Sequence, residues 1–163
     1  MRVHTISETH PKQSHLTLFV RESNKIEGIT REPTAEELKV HDEFLKISRV
    51  NIMDVCHLVR TLAGAELRLN HGMNVRVGSH TPPPGGPAIG YKLEDLLHRV
   101  NEKEISPWHA HVEYETIHPF MDGNGRSGRA LWAWQMLNQA RNERWMDIGF
   151  LHLFYYQTLS NSR

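Results

Sequence analysis

The sequence predicts an all-α domain that carries one short β-hairpin. Apolar residues recur at three- and four-residue spacing through most of the chain, which is typical of amphipathic helices. One stretch, residues 75–77, alternates apolar and polar side chains in the manner of a strand. The chain has 163 residues, so we expect a single domain, 1–163, with a real hydrophobic core.

The composition excludes several classes of protein. Hydrophobic residues make up 39% of the chain, charged residues make up 23%, and the formal net charge is zero. These values exclude a disordered tail and give no electrostatic reason to expect nucleic acid as a partner. The sequence has no apolar run near the length of a membrane span and no visible secretion signal. The single cysteine, Cys56, favours a reducing compartment, so we expect a cytoplasmic protein that does not bind a membrane.

The first helix is predicted at 15–26, after a polar lead-in at 1–12, and its apolar side consists of Leu16, Phe19 and Val20. Glu27 comes at the end of this helix, where the helix dipole disfavours a carboxylate. An acid at that position needs either open water or a nearby cation. The residues alone leave both interpretations open.

Two more helices are predicted before residue 64. Glu32-Pro33 interrupts the chain, and a capping box from Thr34 to Glu37 opens the second helix. The inward face of this helix is predicted to contain Leu38, His41, Phe44, Leu45 and Ser48. The third helix ends at Gly64 and carries apolar residues at helical spacing, namely Ile52, Val55, Leu58, Val59 and Leu62.

Residues 70–90 differ from the helical segments. The strand signal of Val75 and Val77 is followed by a proline-rich run at 82–87. From the residues alone this segment is a surface loop, or a ligand for a proline-binding domain. A fourth helix is then predicted at 91–101, with an inward face of Leu93, Leu96, Leu97 and Val100.

A further helix is predicted to begin at Ser106, which is a favoured N-cap residue and is followed by proline. His109 and His111 lie two residues apart on this helix and point to nearly opposite sides. They cannot chelate one metal ion, so we predict no zinc site. A last amphipathic segment is predicted at 148–159.

The stretch 117–129 concentrates reactive and anion-binding groups. It offers an imidazole, a carboxylate, an amide, three glycines and two guanidiniums: His118, Asp122, Asn124, Gly123, Gly125, Gly128, Arg126 and Arg129. The glycines precede a helical run at 130–138, so they lie where unpaired N–H groups and the helix dipole attract phosphate. This pattern suits a polyphosphate with Mg²⁺. Asp122 would hold the ion, while backbone amides at Gly123 and Gly125, with Asn124 and the guanidiniums, would hold oxygens.

Two other structures fit parts of this stretch. Residues 123–128 satisfy the dinucleotide-binding pattern G-x-G-x-x-G, but that pattern requires a preceding strand. Here the preceding residues, 106–120, predict a helix. A glycine-rich turn with solvated arginines would explain the glycines, but not the carboxylate, amide and paired arginines around them.

Residues 118–129 resemble the signature of Fic-domain proteins, H-P-F-x-(D/E)-G-N-G-R-x-x-R, with every defined position filled. The likeness extends upstream to His111 and Tyr114, where family members often carry a histidine and an aromatic residue. The resemblance implies a Fic-like helical bundle. It also implies an enzyme that transfers AMP from ATP to a hydroxyl side chain of a target protein, with His118 as the catalytic base.

Residues 23–28 resemble the inhibitory motif (S/T)-x-x-x-E-(G/N) that precedes many Fic domains. The resemblance implies an inhibitory helix at 13–28. In the active family site the two arginines, Arg126 and Arg129, would grip the β- and γ-phosphates. Glu27, held in position by Ser23, would pair with Arg129 and prevent the productive grip.

A β-hairpin flap precedes the motif helix in the Fic family, and by resemblance it lies here at 70–90. Val75, Arg76 and Val77 would then pair with an extended segment of the target protein. This pairing would place a Ser, Thr or Tyr hydroxyl beside His118. Self-modification and homo-oligomer formation stay open at this stage.

Two other functions also stay open. One is a catalytically silent nucleotide-binding module that Glu27 keeps blocked. The other is a transferase of a different moiety, such as UMP or phosphocholine. Within the family, the retained Gly-Asn-Gly favours AMP transfer over the phosphorylation of the Doc-like branch. Asp122, where some members have Glu, favours addition of AMP over its removal.

Overall fold

The computed structural model describes residues 13–139, which form six helices. They are α1 (Gln13–Ile26), α2 (Ala35–Leu45), α3 (Ile52–Ala63), α4 (Pro87–Asn101), α5 (Pro107–Ile117) and α6 (Asn124–Asn138). Strand pairing among these residues is limited to two isolated bridges, Leu67 with Phe120 and Val77 with His80. The prediction of an all-α fold is therefore confirmed. The predicted lead-in at 1–12 and the predicted segment at 148–159 lie outside the described residues.

The helix starts follow from local sequence signals. At the start of α2 the Thr34 side chain accepts from the N–H of Glu37, and the Glu37 carboxylate accepts from the N–H of Thr34. This is the predicted capping box. Ser106 caps α5 in the predicted way, with Pro107 in its first turn. Such caps involve residues three apart, so the sequence alone is enough to place them.

Two predicted boundaries are wrong. The fourth helix begins at Pro87 rather than at residue 91, because a proline in the first turn lacks only an N–H that the helix start leaves unpaired. Ser48 was expected on the inward face of α2. That helix ends at Leu45, so Ser48 lies beyond it and is exposed.

α6 lies at the centre of the bundle and packs against α1, α2, α3 and α5. The core is built from apolar residues of every helix, including Phe19, Phe44, Leu58, Leu96, Tyr114 and Trp134. Trp134 is fully packed, and its indole N–H donates to the carbonyl of Ile47 at 2.7 Å. Because α6 packs against four other helices, the position of its N-terminus is well fixed. None of the helices among residues 13–139 is long and apolar enough to cross a membrane.

The predicted hairpin is reduced to one tight turn. The N–H of Val77 donates to the carbonyl of His80 at 3.0 Å, and the N–H of His80 donates back at 2.9 Å. Residues 73–76 take part in no strand pair within the described part of the chain. The turn is tied to the bundle by His80, whose Nε2 donates to the Thr116 carbonyl at the end of α5, 3.0 Å away.

Burial of His41 on α2 predicts acid-sensitive stability. Burial and the nearby Arg126 and Arg129 guanidiniums lower its pKa to about 4, against raising effects of Glu37. The unfolded chain therefore binds one more proton than the folded chain between about pH 6.5 and pH 4, so stability falls as the pH falls through this range. We expect the free energy of unfolding to drop by about 1.4 kcal/mol per pH unit there.

Urea unfolding at a series of pH values measures this slope. Replacing His41 with Gln should flatten it, whereas the same replacement of the exposed His57 should leave it unchanged. An equal slope in the wild type and in the His41→Gln variant would contradict the assignment.

Candidate active site

A cavity of about 500 Å³ lies where the end of α5, the start of α6, the residues after α1 and the hairpin segment meet. Its lining includes most of the residues that the sequence singled out: Glu27, Val75, Arg76, Val77, His118, Asp122, Gly123, Asn124, Gly125 and Arg126. Ile29 and Met121 complete it. Ser23 and Arg129 are buried and do not line the cavity. Four separate parts of the chain therefore converge on one space.

His118 lies at the C-terminal cap of α5 in a left-handed conformation, with φ of 48° and ψ of 64°. Its N–H still donates to the carbonyl of Tyr114 at 2.9 Å, and its side chain is 15% exposed. Nδ1 of the ring lies 4.0 Å from a carboxylate oxygen of the buried Glu115. A left-handed backbone is costly for a residue with a Cβ, so the surrounding structure must hold this turn.

The N-terminus of α6 forms one wall of the cavity. Gly123 is its N-cap, with φ of 77°, and no side chain caps the helix. A side chain at Gly123 would need this strained φ, and its Cβ would come within 2.9 Å of the Ala63 methyl group. The first N–H groups of α6 and the positive end of its dipole therefore face a space that suits an anion.

Asn124 does not match the sequence expectation. Its side-chain oxygen accepts from the N–H of Phe120, and its side-chain nitrogen donates to the carbonyl of Phe120, both at 2.8 Å. The amide thus clamps the turn between His118 and α6. Any contribution of Asn124 to an anion cradle comes from its backbone N–H, because its side chain is already occupied.

Arg126 is a buried cation beside the cavity. The residue is 7% exposed, and its Nε and Nη1 atoms have no hydrogen-bond partner among the described residues. Burial lowers its pKa, while Glu27, Glu37 and Asp122 raise it. The closest of these contacts, Nη1 to Glu37 Oε1, is 4.0 Å long. A buried guanidinium with unused donors is a strong site for an oxyanion.

Arg129 is held by residues at the end of α1. Its Nε donates to the Ser23 hydroxyl at 2.8 Å, and its Nη2 donates to the Ser23 carbonyl at 3.0 Å and to Glu27 Oε1 at 2.6 Å. A methyl group on Gly125 would overlap the Glu27 carboxylate. Glu27 therefore lies directly over the N-terminus of α6, where an anionic ligand would bind.

Sequence reasoning missed the second role of Glu37. Besides capping α2, its carboxylate accepts two hydrogen bonds from Arg31, at 2.8 and 3.0 Å, and one from Asn24 at 3.3 Å. The Arg31 hydrogen bond is the main reason that the pKa of Glu37 falls to about 2. Glu37 thus fixes α1 to α2 beside Arg126. The capping box explained Glu37 completely on its own, so no local signal pointed to this network.

Asp122 is the exposed carboxylate at the cavity edge. Its Oδ1 accepts from the N–H of Gly123 at 2.7 Å, which fixes the side chain beside the helix start. Among residues 13–139 there is no group of three or more His, Cys, Asp or Glu side chains that could hold a metal ion. A single carboxylate does suit Mg²⁺ that arrives with nucleotide phosphates, because this ion keeps most of its ligands from phosphate and water.

Comparison with known proteins shows what the chain is similar to. The sequence profile of the Fic/DOC family matches residues 34–136. A protein adenylyltransferase Fic of Drosophila virilis is 40% identical over 81 residues, which cover 45% of this chain and 16% of the relative. The protein of the same name from Drosophila willistoni is 36% identical over 95 residues, which cover 50% of this chain and 18% of the relative. The chain therefore spans less than a fifth of the length of these relatives.

Proposed function

Because the chain belongs to the Fic/DOC family, we propose that it is a protein adenylyltransferase, which moves AMP from ATP to a hydroxyl side chain of a target protein. One observation carries the proposal. His118 lines the same cavity as the uncapped N-terminus of α6 and the buried Arg126 guanidinium. A base and an anion site that share one small space suit attack on a bound phosphate.

His118 acts as the general base. As the target hydroxyl oxygen forms a bond to the α-phosphorus of ATP, the bond from that phosphorus to the pyrophosphate oxygen breaks. The hydroxyl proton passes to the His118 imidazole, which can later release it to water. A base in hydrogen-bonding reach contributes a factor of ~10²–10⁴ to such a reaction.

The phosphates bind at the start of α6. The N–H groups around Gly123 and Gly125 and the guanidinium of Arg126 neutralise charge on the leaving pyrophosphate, which is the main electrostatic demand of the reaction. Asp122 would supply the protein oxygen for Mg²⁺, and that ion would neutralise further phosphate charge. The exposed carboxylate at the cavity edge supports this assignment.

The target protein docks along residues 75–77. Val75, Arg76 and Val77 all line the cavity, and the backbone of residues 75 and 76 takes part in no strand pair among the described residues. An extended segment of the target adds to such a backbone by β-augmentation, in which main-chain hydrogen bonds set the register. This register brings the acceptor hydroxyl to His118.

Glu27 restrains the enzyme. Its carboxylate occupies space over the N-terminus of α6 and pairs with Arg129 at 2.6 Å, so it competes for the position and the cation that the γ-phosphate needs. Ser23 supports the inhibited arrangement through two hydrogen bonds to Arg129. ATP then binds weakly, or binds in a pose that does not present its α-phosphate to the hydroxyl.

Intact-mass spectrometry after incubation with ATP and Mg²⁺ tests the function. We expect the chain, alone or mixed with a cell lysate, to yield proteins heavier by one adenylyl group. UTP and CDP-choline in parallel reactions identify the transferred moiety from the added mass, and EDTA should abolish the product. Binding of ATP without any covalent product, also in a Glu27→Gly variant, would instead identify a nucleotide-binding module.

A further inference from the structure

Arg68 is a fully buried cation whose hydrogen bonds all go to backbone. It lies between α3 and the hairpin turn and is 0% exposed. Its guanidinium donates four hydrogen bonds, and every acceptor is a main-chain carbonyl oxygen: Ile117 at 2.8 Å, His118 at 2.7 Å, Met73 at 3.1 Å and Pro83 at 2.8 Å. Burial lowers its pKa, so the charge is kept at a cost.

Two of these acceptors belong to the turn that carries the catalytic base. The last carbonyls of a helix have no partner within it, and the negative end of the helix dipole lies there. At the end of α5, Arg68 satisfies the carbonyls of Ile117 and His118 with its side chain, and that of Pro119 with its own N–H at 2.9 Å. Arg68 therefore binds three successive carbonyls of the turn in which His118 has its left-handed conformation.

The other two acceptors belong to residues 73–83, which contain the docking residues 75–77 and are called the target-docking segment below. Met73 and Pro83 lie on either side of residues 75–77, and Nη1 of Arg68 joins them. The hairpin makes a second link to α5, because His80 Nε2 donates to the Thr116 carbonyl at 3.0 Å. One planar guanidinium thus joins the two ends of the docking segment to the turn that carries His118.

We propose that Arg68 is a positioning residue that, together with His80, couples the target-docking segment at 73–83 to the orientation of His118. This inference rests on the proposed roles of His118 and of residues 75–77. When a target strand pairs with the docking segment, the pairing fixes the positions of Met73 and Pro83. Through Arg68 the same carbonyl bonds set the imidazole against the acceptor hydroxyl. Arg68 touches neither ATP nor the reacting atoms.

The Arg68→Lys variant separates positioning from general packing. Lysine keeps the charge and most of the stem but loses the planar fork that reaches four carbonyls at once. In a Glu27→Gly background we expect the rate of AMP transfer at saturating ATP to fall roughly 10²-fold, since small displacements of reacting groups have effects of that order. ATP affinity should not change, because none of the four guanidinium hydrogen bonds of Arg68 goes to a residue of α6. An Arg49→Lys variant is the matched control, since Arg49 is exposed and bonds to Glu102 far from the site.

Hydrogen exchange provides a readout that does not depend on activity. In Arg68→Lys the amides of 73–86 and of 116–121 should both exchange faster, while α2 and α3 stay protected. Unchanged exchange in both segments, or a transfer rate equal to that of the Arg49→Lys control, would overturn the proposal. If no variant transfers AMP, the proposed function fails, and the exchange data still decide whether Arg68 joins the two segments.

A variant that unfolds globally would hide a local effect, so His80→Ala provides a second test. It removes one hydrogen bond to the Thr116 carbonyl and leaves the core intact. Faster exchange in 116–121 and a reduced transfer rate at unchanged ATP affinity would support the coupling. An effect confined to the hairpin would contradict it.

Discussion

Replacing His118 with Ala is expected to abolish AMP transfer while leaving nucleotide binding intact. The imidazole lines the cavity beside the start of α6, and no other histidine among residues 13–139 lines that cavity. Without a base, the target hydroxyl keeps its proton during attack, which corresponds to a loss of ~10²–10⁴-fold. ATP should still bind, because the N–H groups of α6 and Arg126 are unchanged.

The measurement is best made in the Glu27→Gly background, where the starting rate is expected to be higher. Intact mass gives the extent of transfer, and calorimetric titration with ATP and Mg²⁺ gives the affinity. His109→Ala is the matched control, because this histidine lies on the same helix, is exposed and bonds to Ser106 rather than to the site. Transfer that survives in His118→Ala would refute the assignment of the base.

The local parts of this site could be predicted from the sequence, because their causes are local. The glycines predicted a break followed by a new helix. α6 does begin there, with Gly123 as its N-cap in a left-handed conformation and no side chain capping the helix. The caps of α2 and α5 link residues only three apart. The convergence of His118, Asp122 and Arg126 follows from their closeness along the chain, since one turn and the start of one helix carry all three.

The contacts that could not be predicted are those to the backbone of distant segments. Arg68 donates to the carbonyl of His118, which lies far along the chain. Every residue type has a backbone carbonyl, so such an acceptor cannot be recognised from the sequence. Asn124 misled for a related reason. A polar residue in a phosphate-binding loop suggests ligand contact, but its amide instead satisfies both backbone groups of Phe120. Residue types therefore indicated the chemistry, whereas the hydrogen bonds that support the site can be recognised only in the three-dimensional structure.

Replacing Glu27 with Gly is expected to raise the rate of AMP transfer about 5–150-fold, which is the range that a coupling of ~1–3 kcal/mol supports. The change removes the carboxylate that lies over Gly125 and pairs with Arg129. The variant should fold, because Arg129 keeps its two hydrogen bonds to Ser23 and the Glu27 side chain is 35% exposed. The rate of self-modification, measured by intact mass, tests the expectation.

Two matched variants identify the cause of the change. Glu32→Gly removes an exposed acid that pairs with Arg21 and should leave the rate unchanged. Glu27→Gln keeps the size of the side chain and loses its charge. Its amide oxygen should hold Arg129 less strongly but still occupy the space, so an intermediate rate is expected. An unchanged rate in Glu27→Gly would show that the pair is not inhibitory, even if the enzyme assignment survives.

The same competition predicts which nucleotide changes its binding affinity when Glu27 is removed. If the carboxylate and the γ-phosphate compete for Arg129, linkage requires that removal of Glu27 tighten ATP binding by the coupling factor. AMP has no γ-phosphate to bring to Arg129, so its affinity should change much less. Calorimetric titration of both nucleotides into the wild type and Glu27→Gly measures this difference directly. Equal tightening of ATP and AMP would indicate that Glu27 merely fills the cavity, and that Arg129 has no part in the inhibition.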